Sequence, residues 1–224
     1  MLAIKAVSSP FQVLELENAA FRLKGLAHEF LVLGRFSWYR RLLLTFQIHR
    51  VLFLDYRRSA LSVASSDRTY GDTPVLTAYR IGQLLKLDDK TLWVEPGAGI
   101  GLSALAIHLA FGCRVLAIEI EPHRHRAAQL LSKSLRSDET RLRWIQGDFL
   151  QIDWPQECCV YLTGLTWSSE LWQSVLKKLE AECPRATVLS VGRELPDDRW
   201  QLIQMEEMPY SWGMSELHIY RRRA

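Results

Sequence analysis

The stretch Leu92-Trp93-Val94-Glu95-Pro96-Gly97-Ala98-Gly99-Ile100-Gly101 constrains this chain more than any other part of it. Its first half reads as a short buried strand that ends on an acid. Three glycines at alternate positions follow, and a helical pattern starts at Leu102. Glycine has no Cβ and adopts positive φ without strain, so the backbone can turn sharply here and a ligand can approach it closely. The helix beyond presents unpaired N–H groups and a partial positive charge. Strand, glycine turn and helix in this order predict a nucleotide-binding corner of an α/β sheet.

Spacing narrows the nucleotide. Dinucleotide folds use G-x-G-x-x-G, and phosphate loops use G-x-x-x-x-G-K-[ST]. This chain carries G-x-G-x-G with no Lys-Ser or Lys-Thr after it. Glu95 would repel a pyrophosphate, but it suits the amino group of a zwitterionic ligand. Glu119 ends the next apolar run, Val115-Leu116-Ala117-Ile118. A carboxylate there is placed to accept hydrogen bonds from ribose hydroxyls. The two acids suit an adenosyl ligand with a cationic amino-acid arm better than NAD. On these residues the chain resembles the class I S-adenosylmethionine-dependent methyltransferases; the plainer alternative is a turn that only joins strand to helix.

Composition sets the outer limits. A chain of 224 residues can hold one domain with an extension and bury a full core. Hydrophobic residues make up 48% and charged residues 24%, which argues against disorder. The net charge of +3 is too mild to name nucleic acid as a partner. Cys113, Cys158, Cys159 and Cys183 show no C-x-x-C spacing and read as reduced thiols of a cytoplasmic protein. The first residues have no long apolar core after a basic start, so no signal peptide is expected. No uncharged apolar run reaches the length of a membrane span.

The chain is expected to divide into a helical extension over 1–66 and an α/β domain over 67–224. From Ala19 the pattern is helical, with Phe21, Ala27, Phe30 and Leu31 on one apolar face and Gly34 as a stop. Ser37 reads as the N-cap of a second helix to about Leu54, with Trp38, Leu42, Phe46 and Phe53 inward. Between Arg22 and Arg58 stand eight Arg or Lys against two acids, Glu29 and Asp55. Such a segment could hold RNA, an acidic partner or a membrane surface, or its arginines could line a solvated face. Thr73 is expected to cap the next helix, with Pro74 at its first position.

Strands and helices then alternate: strand 91–95, helix 102–111, strand 114–119, helix 123–136, strand 141–146, strand 158–163, helix 169–182 and strand 186–191. Helix 102–111 is expected to turn Leu102, Leu105, Ala106 and Leu109 inward, and helix 123–136 to turn Ala127, Leu130, Leu131 and Ser134 inward. Two further segments, 200–207 and 215–221, suggest a closing hairpin. Alternating βα units predict a mostly parallel, Rossmann-like sheet with helices on both faces. His123-Arg124-His125-Arg126 reads as a solvated helix start. Its two His stand at i, i+2 on different faces, so no shared metal is expected.

Tyr70-Gly71-Asp72-Thr73, Glu95 with its glycine loop, Glu119, Gly147-Asp148-Phe149-Leu150 and Ser211-Trp212-Gly213 followed by Leu217-His218 give a sharper likeness. Over roughly 69–220 they resemble the disruptor-of-telomeric-silencing lysine methyltransferases and their bacterial, archaeal and mitochondrial relatives. That resemblance implies a seven-stranded methyltransferase sheet with an antiparallel C-terminal hairpin, and S-adenosyl-L-methionine as cofactor. It implies that Tyr70 and Thr73 close over the methionine arm and that Glu95 and Gly97 hold its amino and carboxylate groups. Gly99 and Gly101 complete the loop, Glu119 takes the ribose, and Asp148 with Phe149 takes the adenine. The acceptor it implies is a protein lysine. After its fourth strand the family carries two asparagines and a Phe, where this chain has Thr163-Gly164-Leu165 and then Thr166-Trp167. Thr163 lacks an amide's reach and two-sided bonding. Thr163 and Trp212 are the candidates for positioning the acceptor, with Trp167 and Trp212 as aromatic walls and Glu216 or Tyr220 nearby. RNA or a small molecule is the alternative acceptor, and a cofactor-binding module without catalysis is a third reading.

Overall fold

The structure, a computed structural model, describes residues 24–52, 71–196 and 198–223. The weakly patterned start, Phe21, Phe53 and Tyr70 lie outside the described residues. Seven strands form one sheet in the order β3-β2-β1-β4-β5-β7-β6. They are β1 (Leu92–Pro96), β2 (Arg114–Glu119), β3 (Leu142–Gln146), β4 (Cys159–Leu162), β5 (Thr187–Val191), β6 (Trp200–Tyr210) and β7 (Gly213–Arg222). β1 to β5 pair in parallel, and β7 runs antiparallel to both β5 and β6. The seven-stranded sheet with its antiparallel terminal hairpin is therefore formed as expected. β1 pairs with β2 on one side and β4 on the other. The strand order reverses between β1 and β4, and in such sheets a crevice opens beyond the strand ends at that point.

The helices are α1 (residues 24–33), α2 (Ser37–Leu52), α3 (Val75–Leu84), α4 (Leu102–Phe111), α5 (Pro122–Ser134) and α6 (Ser169–Glu182). Successive strand residues point to opposite faces. Trp93 accordingly joins the core under α1 to α5, while Val94 joins the core under α6. α4 is mostly apolar and is buried from Ser103 to His108, in contact with β2, α2 and α3. Leu102 and Leu109, expected inward, are only half-buried, while Ser103, Ala104, Ile107 and His108 are buried.

Two helix faces, of α1 and α5, and the start of α2 differ from the periodicity reading. α1 buries Glu29 and Leu33, and it exposes Ala27, Phe30 and Leu31. Glu29 is the reason: its carboxylate accepts the Tyr39 hydroxyl at 3.1 Å and the Leu76 N–H at 3.0 Å. α5 turns His125, Ala128, Leu131 and Ser132 inward, leaving Ala127 and Leu130 half-buried and Ser134 exposed. The inward face is thus rotated by one residue, and His125 lies in the interior instead of in a solvated helix start. α2 begins at Ser37 itself, with the Arg40 N–H bonded to Phe36 O at 3.2 Å, so Phe36 occupies the position expected for Ser37.

α3 begins after Pro74, which carries no side-chain cap. Thr73, expected to cap it, instead shares a hydrogen bond of 2.9 Å with the Tyr161 hydroxyl. Glu29 takes over that role from another helix, placing a carboxylate on the free N–H of Leu76 at a helix N-terminus. The described part of the extension therefore shares its core with the α/β domain, through Leu33, Tyr39 and Leu42.

Candidate cofactor site

Glu95 is the fourth residue of β1 and lies on the same side of the strand as Trp93. Its Oε2 accepts the Trp93 Nε1–H at 2.9 Å, and its Oε1 accepts the hydroxyl of Ser103 in the first turn of α4. The residue is only 4% exposed. Burial pushes its carboxyl up to about 7, against the opposing pull of the bonds from Ser103 and Trp93.

The loop that follows has φ of +74° at Gly97, +58° at Gly99 and +78° at Gly101. Only glycine takes three such angles in a short run without strain. The N–H groups of Gly97 and Ala98 both donate to Ile118 O, at 2.8 and 3.0 Å, which ties the loop to the end of β2. Gly99 N–H donates to Glu119 Oε2 at 2.7 Å, and Glu121 N–H donates to Glu119 Oε1 at 2.8 Å. A carboxylate offers about four acceptor positions, so Glu119 keeps capacity for further donors. Gly101 has a different duty: a Cβ there would fall 2.1 Å from the Trp144 ring, so its missing side chain lets β3 pack on the loop.

A strip of chain, Gly71-Asp72-Thr73, lies across the crevice. Asp72 N–H donates to Ser211 Oγ at 2.8 Å, and Ser211 N–H donates to Asp72 O at 3.1 Å. A Cβ on Gly71 would sit 2.5 Å from the Trp212 ring, which stacks on Tyr210 at 4.8 Å. The β6–β7 turn thus pins the strip. Gly71, Thr73, Glu95, Gly97, Ser103 and Thr163 come together around a cavity of about 20 Å³, room for one water.

Asp148 and Phe149 follow β3. Asp148 Oδ1 accepts the Leu150 N–H at 2.9 Å. The Phe149 ring lies 5.1 Å from Trp167. Trp167 is buried, and a Cβ on Gly97 would meet its ring at 3.8 Å. It therefore bridges from the glycine loop to Phe149 and does not form an open aromatic wall, the place foreseen for it. Trp212 keeps that capacity, being 40% exposed. Tyr220 is buried in the core, and Glu216 is exposed with a carboxylate oxygen 3.3 Å from His218 Nε2. Three partners of the site were not read from sequence. Trp93 was within reach, because it precedes Glu95 by two residues on a strand. Ser103 and Tyr161 carry no such local signal.

Sheet order, terminal hairpin and a glycine loop at the switch point define the class I methyltransferase fold. No family model matches the chain, and no curated protein matches its sequence. Solved structures do match. An RNA methyltransferase from Salinibacter ruber, in complex with S-adenosyl-L-homocysteine, is 20% identical over 67% of this chain and 92% of its own, with a TM-score of 0.51. Magnesium protoporphyrin IX methyltransferase from Synechocystis PCC 6803, with bound SAM, is 11% identical over 67% and 79%, with a TM-score of 0.54. Geranyl diphosphate C-methyltransferase from Streptomyces coelicolor A3(2) is 11% identical over 66% and 77%, with a TM-score of 0.50. At these identities the likeness is one of fold.

Proposed function

We propose that this chain is a methyltransferase that binds S-adenosyl-L-methionine in the crevice between β1 and β4 and methylates a protein lysine amine. One observation carries the cofactor: two buried carboxylates, Glu95 and Glu119, flank a single left-handed glycine loop at the switch point. The donor chemistry fits. Glu95, with no cation beside it among the described residues, suits an ammonium group. Glu119 has acceptor capacity left for ribose hydroxyls, Asp148 for the adenine amino group, and Phe149 offers a ring for the adenine face. By the resemblance, Tyr70 and Thr73 would close over the methionine arm, with Gly97 and Gly99 giving close backbone approach. A ligand pocket spans about 300 Å³ or more, so binding has to displace the strip at 71–73 or the Trp167 ring.

Bound there, the cofactor supplies an electrophilic methyl group on a sulfonium. The chain's own task is alignment and exclusion of water, since little acid–base work is needed. A lysine must be neutral to attack, and apolar surroundings lower its pKa. The exposed Trp212 indole beside Gly71 is assigned to that wall and the Thr163 hydroxyl to acceptor positioning. The likeness of Tyr70-Gly71-Asp72-Thr73 and Ser211-Trp212-Gly213 to the lysine methyltransferase family supports this acceptor. The split into an extension over 1–66 and a catalytic domain over 67–224 belongs to the same reading.

RNA is the second reading. A groove of about 850 Å³ at the opposite end of the sheet is lined by Lys90, Arg114, Arg185, Arg221 and Arg222 against two acids, Asp88 and Glu157, the latter 3.7 Å from Arg185. The methyltransferase from Salinibacter ruber acts on RNA by its name. Incubating the chain with methyl-labelled cofactor and cell extract separates the two. Label in a protease-sensitive product supports lysine. Label in an RNase-sensitive product, falling steeply with salt, supports RNA. Cofactor binding with no transfer to either would leave a binding module.

A further inference from the structure

α1 buries its one acid and leaves large apolar side chains outside. Glu29 and Leu33, one turn apart, face the domain. A residue two positions along a helix lies about 200° round, so Ala27 and Leu31 stand opposite that pair. Leu31 is 81% exposed and Phe30 53%, with Leu26 exposed beside them. α2 repeats the arrangement. Tyr39 and Leu42 are buried, while Arg40, Leu44 and Ile48, spaced four apart, form the outward stripe, with Leu44 64% exposed. Bonds from Tyr39 and from Leu76 N–H to Glu29 fix α1 to α2 and to the domain, so this outward face is preformed.

Its charge has one sign. Across residues 24–48 the exposed ionic side chains are Lys24, Arg35, Arg40 and Arg41, and the single acid of that span, Glu29, is the buried one. Arg41 turns its guanidinium to Leu135 O at 2.6 Å, which leaves Lys24, Arg35 and Arg40 as the rim. Apolar side chains rimmed by cations, with no exposed acid among the described residues of α1 and α2, suit the boundary between headgroups and acyl chains of an anionic bilayer. A second copy docked on this face would set cations against cations. Phosphates of RNA would use the cations but leave Leu31, Leu44 and Ile48 in water.

We propose that the outward face of α1 and α2 is a peripheral docking surface for anionic lipid, with Phe30, Leu31, Leu44 and Ile48 entering the bilayer boundary. This does not depend on the methyl acceptor. Flotation of the full chain with phosphatidylcholine vesicles, with and without phosphatidylserine, tests it. Binding to the anionic vesicles is expected to exceed binding to the neutral ones about tenfold or more. Arg40→Gln should weaken it about fivefold. Leu31→Glu with Leu44→Glu should abolish it while the circular dichroism spectrum stays unchanged, since both residues point outward. No binding to anionic vesicles, or equal binding by the double variant, overturns the proposal. So does a dimer in sedimentation that the double variant dissolves, or binding of a single-stranded RNA oligomer without binding of any vesicle.

Discussion

Glu95 and Glu119 stand at or next to the ends of neighbouring parallel strands, both are buried, and both lie beside the glycine loop, yet they are held in different ways. Glu119 accepts backbone N–H groups, from Gly99 inside the loop and from Glu121 at the start of α5. Glu95 accepts side-chain donors, Trp93 and Ser103. The first carboxylate is part of the scaffold: without it two main-chain groups lose their acceptor and the turn loses its anchor. The second is a charge placed in a dry position at a cost, and burial raises its carboxyl to about 7. An ammonium group arriving beside it would restore the ionised form. Under the proposed function, the difference would give geometry to one acid and charge recognition to the other.

The largest effect is expected at the residue between them. Gly99→Arg puts a long side chain where the backbone has φ of +58° and the ligand approaches, so titration calorimetry should detect no cofactor binding while the sheet stays folded. Unchanged affinity would move the pocket elsewhere. Glu119→Ala should lower folding stability in urea by about 1–3 kcal/mol, because the buried Gly99 N–H and the half-buried Glu121 N–H lose their acceptor, and weaken cofactor binding as well. A variant as stable as the parent would show that Glu119 is not scaffold.

Glu95→Gln should act in the opposite sense on the cofactor-free protein, and only at higher pH. The folded carboxyl has its pKa raised from 4.5 to about 7, so the folded state holds its proton longer than the unfolded one. Stability from this group is fully present below 4.5 and is lost as pH rises through 7. The Gln variant should gain up to about 3 kcal/mol over the parent near pH 8 and nothing near pH 4, while its cofactor affinity falls. Parallel pH–stability curves for the two proteins would contradict the charge-recognition role. The smallest stability change is expected for Trp212→Ala, about 1 kcal/mol or less for a partly exposed ring. Methyl transfer should nevertheless slow if the indole lines the acceptor path, and an unchanged rate would remove Trp212 from the site.

Local features carried most of the fold. The run from Leu92 to Gly101 specifies its own turn, because three left-handed angles demand glycines, and alternating βα units specify a parallel sheet. Thr73, Glu95, Gly97 and Thr163 were picked from sequence and do meet around one cavity. Helix faces were less legible. In α1 the apolar run Phe30-Leu31 looks like the inward side, but a carboxylate with two good donors is cheaper to bury than the periodicity suggests. Trp167 reads equally well as a wall or a core residue until Phe149 and Gly97 are seen on either side of it.

By itself, then, the sequence determined what neighbours along the chain can decide: the glycine turn, the order of strands and helices, and an acid at the end of each of the first two strands. Only the tertiary structure decided which groups face each other from afar. Leu76 N–H meets Glu29 across 47 residues, Thr73 meets Tyr161 across 88, and Asp72 meets Ser211 across 139. A backbone angle or a side-chain period is set within a few residues. A buried polar partner is selected by the whole packed core, and that selection turned Glu29 inward, left Leu31 facing out, and hung the strip over Glu95.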